Sequence, residues 1–460
     1  MNPLRGQNNV QGSCDMGSFP HELSGYRHIS DAAVRASFDA AWGVRVDPEP
    51  GLRIPNMFDA ALDGSFKGLY VQGEDVAQSE PDGRHVAAAL RAMECVVLQD
   101  LFFNETAKYA HVFLPGSSFL EKNGTFTNSE RRISMVRKVA APLAGKEDWE
   151  ITCELATALG YPMKYSHPSE IMDEIARLTP TFSGVSYPTL ERLGSVQWPC
   201  NDAAPGGTSV MHADRFVRGK GRFTITEYVP TAERTNSEYP LILTTGRILS
   251  QYNVGTQTRR TLNEAMHAED RLEIHPSDAE LRGIHDGDWL RVRARRGETR
   301  LRALVTERVQ PGVVYTTFHH PQSHTNDLMT GHSDWATNCP EFKVTAVQVA
   351  PEAGSVQGCR GNGRLDAENP LAIRDAHAMD IHHLVTMAND IGAYFAGYPS
   401  HGEAVEGIAN HLRSFWETRM RRDIIDYVAS GGDDLKPLVR EAVLTMTSKP
   451  PAGSEDLGDG

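Results

Sequence analysis

A chain of 460 residues is too long for one ordinary hydrophobic core, so two or three domains are expected. Hydrophobic residues make up 40% and charged residues 23%, the balance of a soluble globular protein. The formal net charge of −14, spread along the chain, argues against broad binding to nucleic acid or anionic membrane, while leaving room for a local basic pocket.

No apolar run approaches the roughly 20 residues needed to cross a bilayer. The polar, Gly/Asn-rich start, Met1 to Cys14, has no apolar stretch of the secretory kind, so the cytoplasm is the expected compartment. Cys14, Cys95, Cys153, Cys200, Cys339 and Cys359 form no C-x-x-C pair. Neither a disulfide framework nor a local zinc or iron–sulfur site is expected, and no metal ligand is assigned in the chain.

Residues 1–60 read as loop and short helix, with helical spacing from Ala32 to Trp42. From Gly68 the pattern becomes strand (68–72), helix (84–93), strand (95–99), helical turn (104–108) and strand (111–114), the order of a parallel α/β sheet. Asp148 to Leu159 reads as an amphipathic helix with Trp149, Ile151, Leu155, Ala156 and Leu159 on one face and Gly160 as its C-cap. Residues 180–235, rich in Pro, Gly, Ser and Thr, read as an irregular connection.

Strand patterns follow at 241–243, 290–294, 301–305, 313–315 and 344–349, with a short helix from Pro276 to Gly283; a small closed β-barrel fits them. Residues 351–378 lack periodicity and read as a linker. Helical spacing returns at 384–395, 405–416, 424–428 and 438–444, and the Gly/acidic tail from Pro450 is expected to be disordered. The fold class is therefore α/β: a partial parallel-sheet dinucleotide-binding domain, a β-barrel and a small all-α C-terminal domain. The expected boundaries are 1–235, 236–350, 351–378 (linker), 379–448 and 449–460 (tail).

Five polar clusters sit where strands or turns end, and in open α/β sheets ligands bind beyond the carboxyl ends of strands. They are Arg5 to Gly12; Gly73-Glu74-Asp75; Gln99-Asp100 with Asn104; Gly124 to Arg132; and Thr244 to Arg247 with Gln251-Tyr252-Asn253, paired with Asn338 to Lys343. Guanidinium, amide and hydroxyl groups at that density suit anionic and heteroaromatic ligands. Each cluster taken alone is also what a solvated turn or an N-cap looks like. His319, His320, His324 and His332 lie near the last cluster without zincin spacing. The residues alone indicate a ligand-binding α/β domain and a barrel with an anion-friendly seam between them.

In this order and spacing the clusters resemble the molybdopterin oxidoreductase family, and within it the C-terminal part of the catalytic (alpha) subunit of NAD-dependent formate dehydrogenase. The strings that carry the likeness are RGQNNVQGSCDMG (5–17), GLYVQGEDVAQSEPD (68–82), VVLQDLFFNETAKYAHVFLPGSSFLEKNGTFTNSERRI (96–133), LILTTGRILSQYN (241–253) and WATNCPEFKV (335–344).

The resemblance implies a bis-molybdopterin guanine dinucleotide with molybdenum or tungsten, and a barrel of the double-psi type. It implies that Arg5 orients formate and Gln7 touches a pterin. Gly73 and Glu74 would line a dinucleotide, and Asp100 and Asn104, with Gln99 beside them, would hold a guanosine. Ser129 and Glu130 would meet the nucleotide end. Arg247, Gln251, Tyr252 and Asn253 would clamp a pterin and its diphosphate, and Asn338, Phe342 and Lys343 would close over it.

The family's catalytic subunit also has an N-terminal half that carries a 4Fe–4S cysteine motif and the metal's protein ligand. This sequence opens at the Arg5 loop and shows neither. The expected partners are therefore that half and the iron–sulfur and flavin subunits that reduce NAD, with formate as the small-molecule substrate. DIHHLVTMANDIGAYF (380–395), EGIANHLRSFWETRMRRDI (406–424) and LVREAV (438–443) resemble the delta subunit of soluble formate dehydrogenases, which implies two neighbouring genes joined across 351–378. Two alternatives stay open: an inactive cofactor-binding or assembly module, and another molybdopterin oxidoreductase such as a nitrate reductase.

Overall fold

A computed structural model describes residues 6–216, 219–225, 227–334, 337–352, 381–398, 400–416 and 418–447. Arg5, the linker from 353 onward and the expected tail lie outside the described residues. The chain divides into two compact units at Gly358/Cys359.

The first unit opens with helix α1 (Val10–Asp15), a short hairpin of β1 (Glu22–Leu23) and β2 (Arg27–His28), α2 (Ala32–Trp42) and α3 (Ile54–Leu62). Asp31 caps α2, accepting from Ala33 N at 2.8 Å.

The parallel sheet is built from β3 (Gly68–Gln72), β4 (Cys95–Asp100) and β5 (Val112–Pro115), in the order β3-β4-β5. Helices α4 (Val76–Ser79) and α5 (Gly83–Ala92) lie between its first two strands. Val71, Val96 and Leu98 pack with Phe58, Val86 and Leu90 in one buried cluster, so α3 and α5 cover one face. The other face carries the register row Tyr70–Val97–Val112, in which Tyr70 and Val112 are exposed.

A second sheet was not expected from the sequence. It consists of β6 (Gly124–Thr127), β7 (Arg132–Val136) and β8 (Ser195–Gln197), all antiparallel. Helices α6 (Asp148–Ala158), α7 (Pro168–Leu178) and α8 (Tyr187–Leu193) intervene. Residues 180–197 are thus partly regular, contrary to the irregular reading. Ser186 caps α8 with Pro188 in its first turn, so the residues that looked like loop punctuation start a helix. The expected apolar face of α6 is also corrected: none of its residues is fully buried, and Leu159, just past its end, is 80% exposed.

The barrel comprises β9 (Leu241–Thr245), β10 (Arg271–Ile274), β11 (Trp289–Ala294), β12 (Glu298–Val305), β13 (Val313–Thr316) and β14 (Thr345–Pro351), with α9 (Pro276–Glu280) after β10. It closes in the order β10-β12-β11-β14-β9-β13. Alternation decides what faces in: Leu290, Val292 and Ala294 join Leu241, Leu243, Leu301 and Val347 in the core, while Arg291 and Arg293 are exposed. The strand β10 was missed because Leu272 and Ile274 offer only two apolar positions.

The second unit is helical: α10 (Ile381–Phe395), α11 (His401–Phe415), α12 (Thr418–Ala429) and α13 (Pro437–Thr447). Leu384, Ala388, Ile408, Leu412, Ile424 and Val439 form its core at helical spacing. Ser400 caps α11, accepting from Glu403 N at 3.2 Å. No described helix is long and apolar enough to cross a membrane.

Candidate functional site

Two buried amides dock α4 on the barrel side of the first unit. Gln78 Nε2 donates to Val254 O and Phe318 O, each at 3.1 Å. Asn326 Nδ2 donates to Gln78 O at 2.7 Å and Ser79 O at 3.0 Å. Buried polar groups of this kind specify one geometry, because any other leaves them unpaired. The approach is close at Gly83, where a Cβ would lie 2.3 Å from Asp327 Oδ1.

This docking leaves a cavity of about 560 Å³ between the α/β elements and the barrel. Gln7, Glu74, Glu80, Arg247, Asn253, Phe318, Phe342 and Lys343 line it. Gln7 Nε2 donates to Asn253 Oδ1 at 2.7 Å, closing one side across 246 residues of sequence. Lys343 Nζ donates to Thr245 O at 2.6 Å. Arg247 stands 5.9 Å from the centre of the Phe318 ring.

The loop that presents Arg247 and Asn253 is held by a buried histidine. His319 Nδ1 meets Asn253 O at 2.6 Å, and His319 Nε2 accepts from Ile248 N at 3.2 Å. These bonds require the neutral tautomer with its proton on Nδ1, and burial pushes this imidazole below its ordinary value. His320 instead contacts Asp270 Oδ1 through Nδ1 at 3.1 Å. Asp270 also accepts from His319 N, His320 N and Ser323 Oγ. Burial raises the Asp270 carboxyl, but these bonds outweigh it and hold the group below its usual range.

The charges inside the cavity are unevenly compensated. Burial depresses the Lys343 ammonium, with Arg247 adding like-charge repulsion. Burial pushes Glu80 up to about 7, with Glu74 adding to the shift. Glu74 keeps a water-accessible side toward the cavity, yet the crowding around it raises its carboxyl, with Asp75 and Asp100 adding and Arg247 opposing. Two cations that an anion would relieve, two carboxyls whose surroundings favour the protonated form, amides and two aromatic rings make up a donor set for an anionic heteroaromatic ligand.

The sequence-predicted residues divide into three groups. Gln7, Glu74, Arg247, Asn253, Phe342 and Lys343 meet in this cavity. Gly73, Asp100 and Asn104, at and just after the ends of β3 and β4, are outside its lining, although Asp100 is near enough to Glu74 to act on its charge. Gly73 takes φ +66, which a glycine adopts without strain. Asp100 accepts from Leu101 N at 2.6 Å and Asn104 Nδ2 at 2.8 Å, so it makes the cap-like bonds of the ordinary reading while keeping spare lone pairs. Tyr252 is 44% exposed on the Arg247 loop.

The remaining predicted residues point elsewhere. Gln99 is buried, donating to Asp148 Oδ1 at 2.8 Å and accepting from the Tyr70 hydroxyl. Gln251 is buried and bonds Glu264 at 3.1 Å and Thr258. Asn338 lines a separate cavity of about 360 Å³ and donates to Asn56 at 3.0 Å. Ser129 and Glu130 sit on the β6–β7 turn, where Glu130 pairs with Arg132 at 2.7 Å.

Sequence reasoning missed Gln78, Asn326 and Glu80 and the roles of His319 and Asp75. Asp75 Oδ1 pins the turn after β4 by accepting from Thr106 N at 2.8 Å and Thr106 Oγ1 at 2.7 Å. Asp75 carried a signal as the acid after a strand-ending glycine, whereas Gln78, Asn326 and His319 act through contacts distant in sequence.

Residues 5–158 match the family described as Molybdopterin oxidoreductase, and residues 241–346 match the Molydopterin dinucleotide binding domain. The chain carries domains of the molybdopterin oxidoreductase family. In that family frame, the parallel sheet lies in the first match and the barrel coincides with the dinucleotide-binding domain. Residues 383–443, across α10 to α13, match the NADH-dependant formate dehydrogenase delta subunit FdsD.

Among curated relatives, the chain is 41% identical over 355 residues to the F420-dependent formate dehydrogenase subunit alpha of Methanocaldococcus jannaschii, covering 76% of this chain and 52% of that protein. It is 36% identical over 361 residues to formate dehydrogenase H of Escherichia coli, covering 77% of this chain and 50% of that one. The chain thus spans about half the length of the curated relatives it matches. Acetylene hydratase from Pelobacter acetylenicus shares the fold, with TM-score 0.53 and 15% identity over 70% of this chain and 50% of that one.

Proposed function

We propose that this chain is the C-terminal, cofactor-holding part of a formate dehydrogenase alpha subunit, joined to a delta-subunit-like domain. The observation that carries the reading is the convergence of Gln7, Glu74, Arg247, Asn253, Phe342 and Lys343 on one cavity. The domains are read as 1–235, the partial α/β part; 236–350, the barrel; 351–378, a linker; 379–448, the delta-like helices; and 449–460, a tail.

When bound, a molybdenum or tungsten bis-molybdopterin guanine dinucleotide supplies the two-electron oxidation of formate to CO2. The donor set fits part of that group, and a cavity of about 560 Å³ has room for only one stretch of it. Arg247 and Lys343 would bind the anionic pterin and diphosphate, with Gln7, Asn253 and Tyr252 fixing its orientation. Glu74 and Glu80, inclined by burial to keep their protons, would donate to ring acceptors and help exclude water. Asp100 and Asn104 would hold a guanosine edge, while Ser129 and Glu130 on the β6–β7 turn and Asn338 in its separate cavity would meet only a part of the group that extends beyond this cavity. Arg5 would hold the formate carboxylate as a fixed cation.

The electrons would pass through the N-terminal half and the iron–sulfur and flavin subunits to NAD. The delta-subunit family, which is named for NADH, favours that acceptor over the F420 named for the methanogen relatives. The test is formate-dependent NAD reduction by the natural assembly that contains this chain. Arg5→Ala should raise the formate KM at least about tenfold, the scale of one lost charge-assisted contact. An unchanged KM would remove that role, and turnover of nitrate without formate oxidation would replace the reading.

A further inference from the structure

We propose that the β1–β2 hairpin carries a site for one divalent transition-metal ion of the Zn2+ class, built from His21, Glu22 and His28. Glu22 pairs with His28 across the antiparallel register, and His21 precedes the first strand. Glu22 Oε1 lies 3.6 Å from His21 Nε2 and 3.9 Å from His28 Nε2, and all three ligand atoms are within 4.8 Å of one another. Bond lengths of about 2.0–2.2 Å put two ligands of a tetrahedral ion about 3.3–3.5 Å apart, so small side-chain rotations suffice to close the set.

A second observation points to a ligand. Glu22 Oε1 is the oxygen that faces the two imidazoles, and Oε2 of the same carboxylate is buried without a hydrogen-bond partner. A buried carboxylate with one oxygen unpaired is costly, and a cation held by that carboxylate would offset its charge. His21 and His28 are 31% and 58% exposed, which gives an ion a way in and leaves a coordination position for water.

The backbone beneath the ligands is tied down by hydrogen bonds. Gly25 N, in the hairpin turn, donates to Asp15 O at 2.7 Å, and Ile29 N donates to His21 O at 3.0 Å. Asp15 is fully buried and accepts from Gln11 at 2.8 Å, the Tyr26 hydroxyl at 2.9 Å and Trp198 Nε1 at 2.7 Å. Supports of this kind hold a site's geometry. Two imidazole nitrogens and one carboxylate oxygen suit Zn2+ or Co2+ rather than the all-oxygen preference of Ca2+ and Mg2+. The spacing, His-Glu followed by His six residues later, is no recognised motif in the sequence; the hairpin register creates the cluster. Among the described residues it is the one such trio of ligating side chains.

The test is calorimetric titration of the untagged full chain, stripped with a chelator, using Zn2+, with Mg2+ as the comparison ion. The expected result is one saturable Zn2+ site, no Mg2+ heat, and Co2+ absorption bands of a low-symmetry four-coordinate ion. His28→Ala and Glu22→Gln should each weaken Zn2+ binding at least about 100-fold, beyond the loss typical of an outer-shell change. His285→Ala, at a histidine 83% exposed on the barrel, should leave binding unchanged. An unaltered far-ultraviolet circular dichroism spectrum would exclude misfolding. Absence of saturable Zn2+ binding, or binding that survives both His28→Ala and Glu22→Gln, overturns the proposal.

Discussion

Leu290 on β11 and Tyr70 on β3 both sit inside their strands, yet Leu290 is fully buried and Tyr70 is 37% exposed. The barrel closes on itself, so every inward position meets another inward position and no edge remains. Helices α3 and α5 cover one face of the three-stranded parallel sheet, while the other meets the start of α6 at Gln99 and leaves Tyr70 and Val112 partly exposed. Parallel sheets are ordinarily covered on both faces, so the row Tyr70–Val97–Val112 is apolar surface that added cover would stabilise. The barrel is self-sufficient; the sheet serves chiefly as a platform whose strand ends point polar groups at the barrel.

That contrast can be broken most forcefully in the barrel core. Leu290→Ala should cost about 2–5 kcal/mol in urea unfolding, because the cavity it leaves cannot collapse inside a closed barrel. A cost under about 1 kcal/mol would mean that the barrel is loosely packed.

A smaller effect is expected at the seam. Glu80 is raised from its ordinary 4.5 to about 7, so the folded chain holds this proton more tightly than the unfolded chain. Its contribution to stability is therefore full below about pH 4.5 and is lost as pH rises to about 7. Glu80→Gln should flatten that dependence and make the chain more stable than the natural one at pH 8, by up to about 2 kcal/mol after allowing for solvent in the cavity. An unchanged pH profile from thermal unfolding would place Glu80 in water.

The smallest change is expected on the open face of the sheet. Val112→Ala at a position 45% exposed should cost less than about 1 kcal/mol. A cost comparable to that of Leu290→Ala would show this face to be covered in solution.

The same contrast explains what could be read in the sequence. Arg291 and Arg293 alternate with Leu290 and Val292 because one side of β11 faces water, and that alternation announces a half-buried strand. The parallel strands could be found as apolar runs ending in Gly73, Asp100 and Pro115. The β6–β7–β8 sheet could not, because Thr125, Thr127 and Ser134 give no apolar rhythm and β8 has three residues.

The cleft was legible as residue types but not as geometry. Arg247 and Lys343 declare themselves as cations after and before strands, whereas Gln99 and Gln251 look the same in sequence and turn inward. Gln78 and Asn326, which set the seam, are ordinary amides until their partners 176 and 248 residues away are known.

The central claim is that the cavity between α4 and the barrel grips an anionic pterin nucleotide. Guanine and metal content of the purified natural assembly measures that grip directly. Arg247→Ala should strip most of both, whereas Arg291→Ala, which removes an exposed arginine paired with Glu298 on the outer barrel wall, should retain them. Equal retention in the two variants would contradict the account.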